Sequence, residues 1–197
     1  MPKVTDEYRA ARRDEIADAA LRAFRRTGFQ ATSMADIISE SGLSAGAIYG
    51  HFASKNALVM AVAERIVGSR VADVERLAAL DPMPPPPRVP RMLVEGMVRD
   101  LGSTGVMLQL WGEGVTDPEL RTLAASVLAE LRRTLGRYVA LWHERAHGAT
   151  ASGAHEIGVA QAPLLVSAVQ GYVIQATLVE DFDGDAYLDA LERYFPA

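Results

Sequence analysis

The chain has 197 residues, a formal net charge of −5 and no cysteine, with 49% hydrophobic and 23% charged residues. This length suffices for one domain or two small ones, and the composition excludes a disordered or collagen-like chain. The lack of cysteine excludes a disulfide scaffold, thiolate metal sites and a cysteine nucleophile. Residues 1–15 are charged throughout and contain no apolar run of the ~7 residues that a secretory signal needs, so we expect a cytoplasmic location.

The charge is unevenly distributed along the chain. Residues 1–56 carry eight Lys and Arg against seven Asp and Glu, whereas residues 57–197 carry twelve against eighteen. A negative total disfavours a nucleic-acid partner for the chain as a whole, but the split indicates two parts with different partners.

The N-terminal part predicts short helices separated by tight turns. The first helix has one apolar stripe and ends at Gly28; the stripe consists of Ile16, Ala19, Ala20, Ala23 and Phe24. Ser33 caps a second helix with Ile37 on its apolar side, and Ser44 caps a third with Ile48 and Phe52 along one edge. Because a glycine turn joins the second and third helices, the pattern predicts a helix-turn-helix.

The remainder of the chain also predicts helices. Ser54 caps the fourth, and the proline-rich stretch 81–87 ends it near residue 80, so we interpret that stretch as the clearest linker. Further helices are predicted near 90–102, 105–114, 117–147, 155–180 and 185–195. No segment alternates with period two for long enough to indicate a strand. We therefore predict an all-α fold with an N-terminal three-helix domain at 1–56 and a helical domain at 57–197.

One predicted helix is apolar enough to suggest a membrane span. Residues 157–179 carry no charge, and a bilayer needs about 20 such residues. The stretch nevertheless contains Pro163 and several polar residues, and its flanks are acidic on both sides. We interpret it as a helix buried by its own domain and by a partner chain, and we expect no membrane contact.

Residues 32–55, TSMADIISESGLSAGAIYGHFASK, closely resemble the DNA-binding module of TetR-family transcriptional regulators. The shared features are a Thr or Ser that opens the second helix, glycine–apolar–serine in the turn, a recognition helix of small residues, tyrosine, histidine–phenylalanine and a following lysine. Ile38 departs from the alanine that the family often has there and affects helix packing, not the DNA-facing residues. The DNA-binding module to which this stretch belongs covers about a quarter of the chain.

The resemblance implies a set of DNA-binding residues: Ser33, Met34, Ser44, Ala45, Gly46, Ala47, Tyr49, Gly50, His51 and Lys55. In the family, positions matching Ala45, Gly46 and Ala47 enter the major groove, and those matching Tyr49, His51 and Lys55 hold the DNA backbone. Such small residues permit close approach and thymine-methyl contacts, but few bidentate hydrogen bonds. Capped helix N-termini also suit phosphates. Arg12 and Arg13 are either further phosphate contacts or a solvated face.

Residues 143–147 spell HERAH, the H-E-x-x-H motif of zinc peptidases. Two histidines at i and i+4 share a helical face, and Glu144 between them would act as general base. The helix ends directly afterwards at Gly148, and Gly153 stands where the longer motif needs a third histidine, although His155 or Glu156 could supply a ligand. A zinc hydrolase therefore stays the weaker alternative to structural histidines, and we expect no catalytic residue, metal or cofactor. A non-enzymatic helical interaction protein is a third possibility.

In the TetR family, the second part of the chain binds an effector and forms the dimer. Ligand pockets between helices are mostly apolar and contain few polar groups. By their position and chemistry, the effector-binding candidates are Met97, Met107, Trp111, Tyr138, Trp142, Gln170 and Ile174. The last two helices would pair across a two-fold axis as a four-helix bundle. The predicted interface residues are Leu164, Leu165, Ala168, Val169, Tyr172, Val173, Leu188, Leu191 and Phe195.

These patterns together predict a homodimeric regulator of transcription. The resemblance favours a repressor that binds double-stranded DNA at a palindromic operator. A small, largely apolar effector would release it by favouring a dimer whose recognition helices no longer match successive grooves.

Overall fold

The computed structural model of the protein describes residues 6–195, so the outermost residues of both predicted domains, 1–5 and 196–197, lie outside it. The described part is helical and contains no strand. Its α-helices are α1 (Asp6–Thr27), α2 (Met34–Ser41), α3 (Ala45–Tyr49), α4 (Lys55–Ala78), α5 (Val89–Leu101), α6 (Gly105–Thr116), α7 (Pro118–His147), α8 (Ala151–Leu178) and α9 (Gly184–Tyr194). A 3-10 turn, Pro86–Arg88, precedes α5. The all-α prediction is confirmed.

Helices α1 to α3 pack as the apolar patterns predict. The whole α1 stripe is buried, and Ile37 of α2 and Ile48 of α3 meet it in one cluster. Phe52 joins the same cluster from the segment after α3, which ends at Tyr49 and not beyond Phe52 as the sequence predicted. Gly42 ends α2 with a φ of 68°, a left-handed conformation that glycine adopts without steric cost. This turn lets α3 leave α2 at a sharp angle, which completes the helix-turn-helix.

Helix α4 runs unbroken through the predicted domain boundary at residue 56. Its first half contributes Leu58, Val59 and Val62 to the cluster beneath α1 to α3. Its second half contributes Val74 to a second cluster with residues of α5, α7 and α8. One continuous helix therefore contributes to both cores.

The proline-rich stretch is not a loose linker. Pro86 and Pro87 are buried, and the Tyr138 hydroxyl donates to the Pro84 carbonyl at 2.7 Å. Met83 packs against the second cluster. The prolines do end α4, at Ala78, but the segment between α4 and α5 is fastened to the same body as both helices.

Helix α8 begins earlier than the predicted residue 155. The Thr150 hydroxyl accepts a hydrogen bond from the Gly153 N–H at 3.3 Å, so the glycine-containing stretch forms the first helical turn instead of a loop. Helices α7 and α8 pack closely where Gly158 faces Gly136, because a Cβ at Gly158 would collide with the Gly136 carbonyl. The remaining predicted helix ends differ from the observed ones by about two residues or fewer.

By length and composition α8 alone, among the described helices, could cross a membrane. A third of its most apolar window is buried inside the protomer. Core helices of soluble proteins have the same composition, so this is weak support for a membrane span.

Candidate nucleic-acid interface and ligand cavity

Reciprocal caps hold the start of α2. The Asp36 N–H donates to the Ser33 hydroxyl at 3.2 Å, while the Ser33 N–H donates to the Asp36 carboxylate at 2.8 Å. The hydrogen bonds from the Ser33 side chain and backbone lower the pKa of Asp36. This capping box rigidifies the helix start and leaves Ser33 exposed beside half-buried Met34.

One face of α3 is exposed and consists of small residues apart from a single aromatic. The exposed residues there are Ser44, Ala45, Gly46, Tyr49 and Gly50, whereas Ala47 and His51 are half-buried. A Cβ at Gly46 would meet no atom of the protein within 4 Å, so the fold itself does not require glycine there. Glycine in a helix costs about 1 kcal/mol relative to alanine. An approaching partner surface is a physical reason for a residue without a side chain at this point.

The predicted backbone-binding residues Tyr49, His51 and Lys55 lie around this face. Tyr49 is exposed, and the His51 carbonyl accepts a hydrogen bond from Arg13 at 2.9 Å. The Arg13 guanidinium also lies 4.3 Å from the Phe52 ring centroid, which ties α1 to the end of α3. Arg12, by contrast, pairs with Glu15 within its own helix.

Lys55 forms hydrogen bonds within the protein that the sequence did not indicate. Its ammonium donates to the carbonyls of Phe29 at 3.0 Å and Thr32 at 3.1 Å, and lies 4.3 Å from the Phe29 ring centroid. These contacts hold the turn between α1 and α2. The phosphate contact predicted for Lys55 stays a prediction, and its charge adds to the field at this surface whichever atoms it touches.

An apolar cavity of about 140 Å³ lies between the N-terminal helices and the body. Leu21, Phe24 and Phe29 form the wall on the side of α1, and residues from α4 to α8 form the rest. Of the described side chains around it, only Arg70, Gln170 and the Trp111 indole carry polar atoms. A cavity of this character binds small apolar molecules and uses its few polar groups to orient them.

Four of the seven effector-binding candidates line this cavity, namely Met97, Met107, Trp111 and Gln170. The other three do not. Tyr138 is buried in the second cluster, where burial raises its pKa to about 12. Trp142 packs edge-on against His143 and His147, and Ile174 points outward with 43% of its surface exposed. Helical spacing could not distinguish these faces, because α7 and α8 are apolar on several sides.

Arg70 is the cavity residue that the sequence reasoning missed. It is 5% exposed and follows Val59, Val62 and Ile66 on the inner stripe of α4, all of which line the cavity. A charged residue at the next position of an apolar helical stripe is the signal that could have found it.

Helix α6 connects the cavity to the helix-turn-helix. Met107 and Trp111 line the cavity, while the Gln109 side-chain carbonyl on another face accepts a hydrogen bond from the Phe29 N–H at 2.8 Å. One turn further on, Glu113 accepts a hydrogen bond from Gln30. The turn between α1 and α2 is thus held by Lys55 on one side and by α6 on the other.

The predicted dimer residues divide between two faces. Leu165, Ala168, Val173 and Leu188 are buried inside the protomer, and Val169 lines the cavity, so these five serve the chain's own core. Tyr172, Leu191 and Phe195 are half-buried. Leu164 alone of the set is strongly exposed, at 53%. The sequence identified an apolar helix correctly but could not tell its inner face from its outer one.

The exposed face of α8 includes Leu164 and otherwise consists of residues outside the predicted set. We call it the outer stripe; it consists of Ala160, Leu164, Ser167, Ile174 and Leu178, at intervals of four, three, seven and four residues. This spacing suits packing against another helix.

The H-E-x-x-H residues lie at the end of α7, with His143 buried and His147 beside it. Within residues 6–195 no group of three or more His, Cys, Asp or Glu side chains is arranged to hold a metal ion. His143 is buried against Trp142, and burial together with the nearby His147 lowers the pKa of His143. These contacts favour the structural interpretation of the two histidines over the hydrolase.

Comparison with known proteins agrees with the helix-turn-helix. The family "Bacterial regulatory proteins, tetR family" matches residues 16–62. The Bacillus subtilis regulator YfiR is 41% identical over 63 residues, covering 32% of this chain and 31% of its own length. An HTH-type transcriptional repressor of Mycobacterium tuberculosis is 39% identical over 80 residues, covering 41% of this chain and 39% of its own. The chain thus spans little more than a third of the length of these curated relatives.

The likeness of fold extends over the whole chain. A transcriptional regulator from Saccharomonospora viridis, solved in complex with choline, superposes with a TM-score of 0.69 at 22% identity, covering 94% of this chain and 95% of that one. Residues 16–62 thus resemble the DNA-binding module of the tetR family of bacterial regulatory proteins, and the chain shares the all-helical fold of the Saccharomonospora regulator.

Proposed function

We propose that the protein is a cytoplasmic transcriptional repressor that binds a palindromic operator as a homodimer and leaves it when a small, largely apolar ligand binds. The observation that carries the DNA-binding role is the exposed face of α3, where Gly46 meets no atom that would demand glycine. Small residues there permit the helix to approach base edges in the major groove closely.

Residues around α3 would position the protein on the duplex. Exposed Ser33, Ser44 and Tyr49 lie on the same side of the helix-turn-helix as Gly46 in the family resemblance, and their polar atoms suit phosphate oxygens. Such contacts fix register and orientation, while the small face of α3 reads shape and thymine methyl groups. Lys and Arg side chains of the N-terminal module that approach phosphates would release counterions from the DNA, so we expect affinity to fall as salt rises.

A second copy of the chain is the partner that we propose for the outer stripe of α8. Leu164, Ile174 and Leu178 are each at least two-fifths exposed, and their helix carries no charge between Ile157 and Val179. Contiguous exposed apolar patches of this kind mark surfaces that contact another protein or a membrane. An isologous contact through α8 and α9 would relate two recognition helices by a two-fold axis, which implies a palindromic DNA site.

Ligand binding would act on DNA affinity through the cavity walls. The cavity touches α1 and the α1–α2 turn as well as the body, so a ligand contacts both parts of the protein directly. Helix α6 adds a second connection through Gln109 and Phe29. A ligand that fits one arrangement better than the other shifts the equilibrium, and couplings of about 1–3 kcal/mol are typical. The choline complex of the Saccharomonospora neighbour supports ligand binding as a use of this fold.

Selection from a random duplex pool at near-physiological salt tests the proposal. Enrichment of a palindrome by the purified protein is the expected result, with affinity that falls as salt rises. The same selection with a Gly46→Leu variant is the matched control and should enrich nothing. If neither the pool alone nor the pool with added cell extract yields an enriched sequence, the DNA-binding role is wrong.

A further inference from the structure

Arg70 places a buried positive charge in the wall of an otherwise apolar cavity. Its guanidinium Nη2 lies 2.9 Å from the Asp73 carboxylate and 3.2 Å from that of Asp100, and it donates to the Ser69 hydroxyl at 2.9 Å. All three partners therefore engage the same nitrogen. The other two nitrogens, Nε and Nη1, are buried and have no hydrogen-bond partner among the described residues.

Unpaired donors of this kind are rare in folded proteins. Nearly all buried polar groups find a partner, and an exception calls for an explanation such as a missing ligand. Because a guanidinium carries several donors and no acceptor, whatever completes Arg70 must supply acceptor atoms.

The charged side chains around Arg70 have a net positive charge. Asp73 also contacts Arg76, and Asp100 lies 3.8 Å from Arg99, so three guanidinium groups face two carboxylates. The two carboxylates are thus already engaged by cations, and one positive charge remains. The absence of a side chain at Gly96 leaves space for Arg70, because a Cβ at Gly96 would collide with Arg70 Nη1. Glycine at that position on α5 makes room for the guanidinium beside Leu93 and Met97.

We propose that the cavity binds a compact apolar monoanion whose carboxylate accepts hydrogen bonds from Arg70. Charge-assisted hydrogen bonds to a carboxylate are among the stronger ones that a protein makes. The apolar part of the ligand lies against Trp111, Met97 and Met107. A carboxylate of this kind would be the class of ligand that regulates DNA binding, and this regulatory role rests on the proposed function.

The cavity volume sets the size of the ligand. An apolar cavity of about 150 Å³ holds one benzene molecule, and this cavity measures about 140 Å³. The volume therefore matches a single ring, and a carboxylate on that ring would lie at Arg70 in the cavity wall, so benzoate is the appropriate probe. Benzamide has nearly the same shape without the charge and is the matched neutral probe.

Fluorescence of Trp111 reports binding directly, since that indole lines the cavity. Replacing the second tryptophan, Trp142→Phe, isolates the signal. We expect benzoate to bind at least tenfold more tightly than benzamide. In the charge-balanced double variant Arg70→Gln/Asp100→Asn, this ratio should fall toward one while benzamide affinity stays unchanged. A thermal unfolding curve confirms that the double variant folds.

Arg65→Gln is the matched control. Arg65 lies on the same helix, pairs with Asp18 outside this ion-pair cluster and does not line the cavity, so the variant should keep the preference for benzoate. Equal affinities for the two probes, failure of both to bind, or a preference that survives in Arg70→Gln/Asp100→Asn would each overturn the proposal.

The assay contains no DNA, so its outcome is separate from that of the duplex selection. Benzoate preference without an enriched palindrome would leave the anion site standing and remove the regulatory role. An enriched palindrome without benzoate preference would leave the regulator standing and remove the anion.

Discussion

The two functional regions of this protein are built in opposite ways. The candidate DNA interface comes from one continuous stretch of 24 residues, 32–55, in which caps, turn and exposed face follow each other along the chain. The cavity takes its walls from six helices and from residues as far apart as Leu21 and Gln170. A contiguous site leaves a readable pattern in the sequence, whereas a site assembled from distant helices leaves scattered apolar residues that look like ordinary core.

The regions also differ in what their unusual residues do. Gly46 on α3 has no contact within the fold that would explain it, and so points outward to a partner. Arg70 has contacts within the fold, but they leave two of its nitrogens without a hydrogen-bond partner. This indicates a ligand inside the cavity. In both cases the informative feature is a residue whose surroundings in the protomer are incomplete.

The largest effect is expected from breaking the proposed dimer. Leu164→Asp with Ile174→Asp places two charges on the outer stripe, and the protein should sediment as a monomer. Operator affinity should fall by roughly 1,000-fold, about 4 kcal/mol, because one half-site is bound instead of two. Val115→Asp, at an apolar residue that is 69% exposed on α6, should leave mass and affinity unchanged. A double variant that stays dimeric contradicts the assignment of α8.

Gly46→Leu should separate DNA binding from stability. The added side chain meets open space in the protein, and leucine has a higher helix propensity than glycine, so the melting temperature should stay level or rise. DNA affinity should fall by roughly 100-fold, about 3 kcal/mol, because the side chain occupies the approach to the groove. Gly68→Leu, another exposed glycine with no neighbour within 4 Å, is the control. Undiminished binding by Gly46→Leu would move the interface away from α3.

The pH dependence of stability tests whether Tyr138 is buried in the protein core and does not contact the ligand. Its pKa is raised to about 12 from 10.0 by burial, so between these values the unfolded chain loses the proton and the folded one keeps it. Stability should therefore fall as pH rises from 10 to 12, by roughly 2–3 kcal/mol in total. Tyr138→Phe should remove this loss, and exposed Tyr194→Phe should not. Identical alkaline denaturation of the wild type and Tyr138→Phe would refute the buried placement.

The smallest effect is expected at the connection between the two regions. Gln109→Leu removes the acceptor of the Phe29 N–H, a hydrogen bond worth about 1 kcal/mol, so that amide should exchange with solvent about fivefold faster. Gln109→Glu keeps an oxygen in the same place and is the matched control. Unchanged exchange in Gln109→Leu would show that α6 does not hold the turn.

Much of the fold followed from local patterns. The α1 stripe, the serine caps at Ser33 and Ser44 and the stop before the prolines depend on neighbours within a few residues, and the structure confirms each of them. The start of α8 was predicted four residues late, because the glycine-rich turn looked like a loop and the Thr150 cap was not recognised. The proline-rich stretch also behaved differently from its local reading, since contact with Tyr138 fastens it to the body.

The candidate sites divide along the same line. Four of the effector-binding candidates line the cavity, whereas Tyr138, Trp142 and Ile174 do not, because being apolar does not reveal which way a side chain faces. Three of the six predicted dimer residues on α8, Leu165, Ala168 and Val173, are buried in the protomer for the same reason. Lys55 was recognised as important through the family resemblance, while its hydrogen bonds to the α1–α2 turn required three-dimensional coordinates.

The sequence by itself determined the helical class, the helix-turn-helix and which small residues form its recognition helix. These features depend on residues close together in the chain. Tertiary structure alone decided which face of each apolar helix is inside, where the cavity lies and that Arg70 stands in its wall. The physical reason is that burial and charge pairing are set by helices far apart in sequence, and the amino-acid order of one helix does not state what will pack against it.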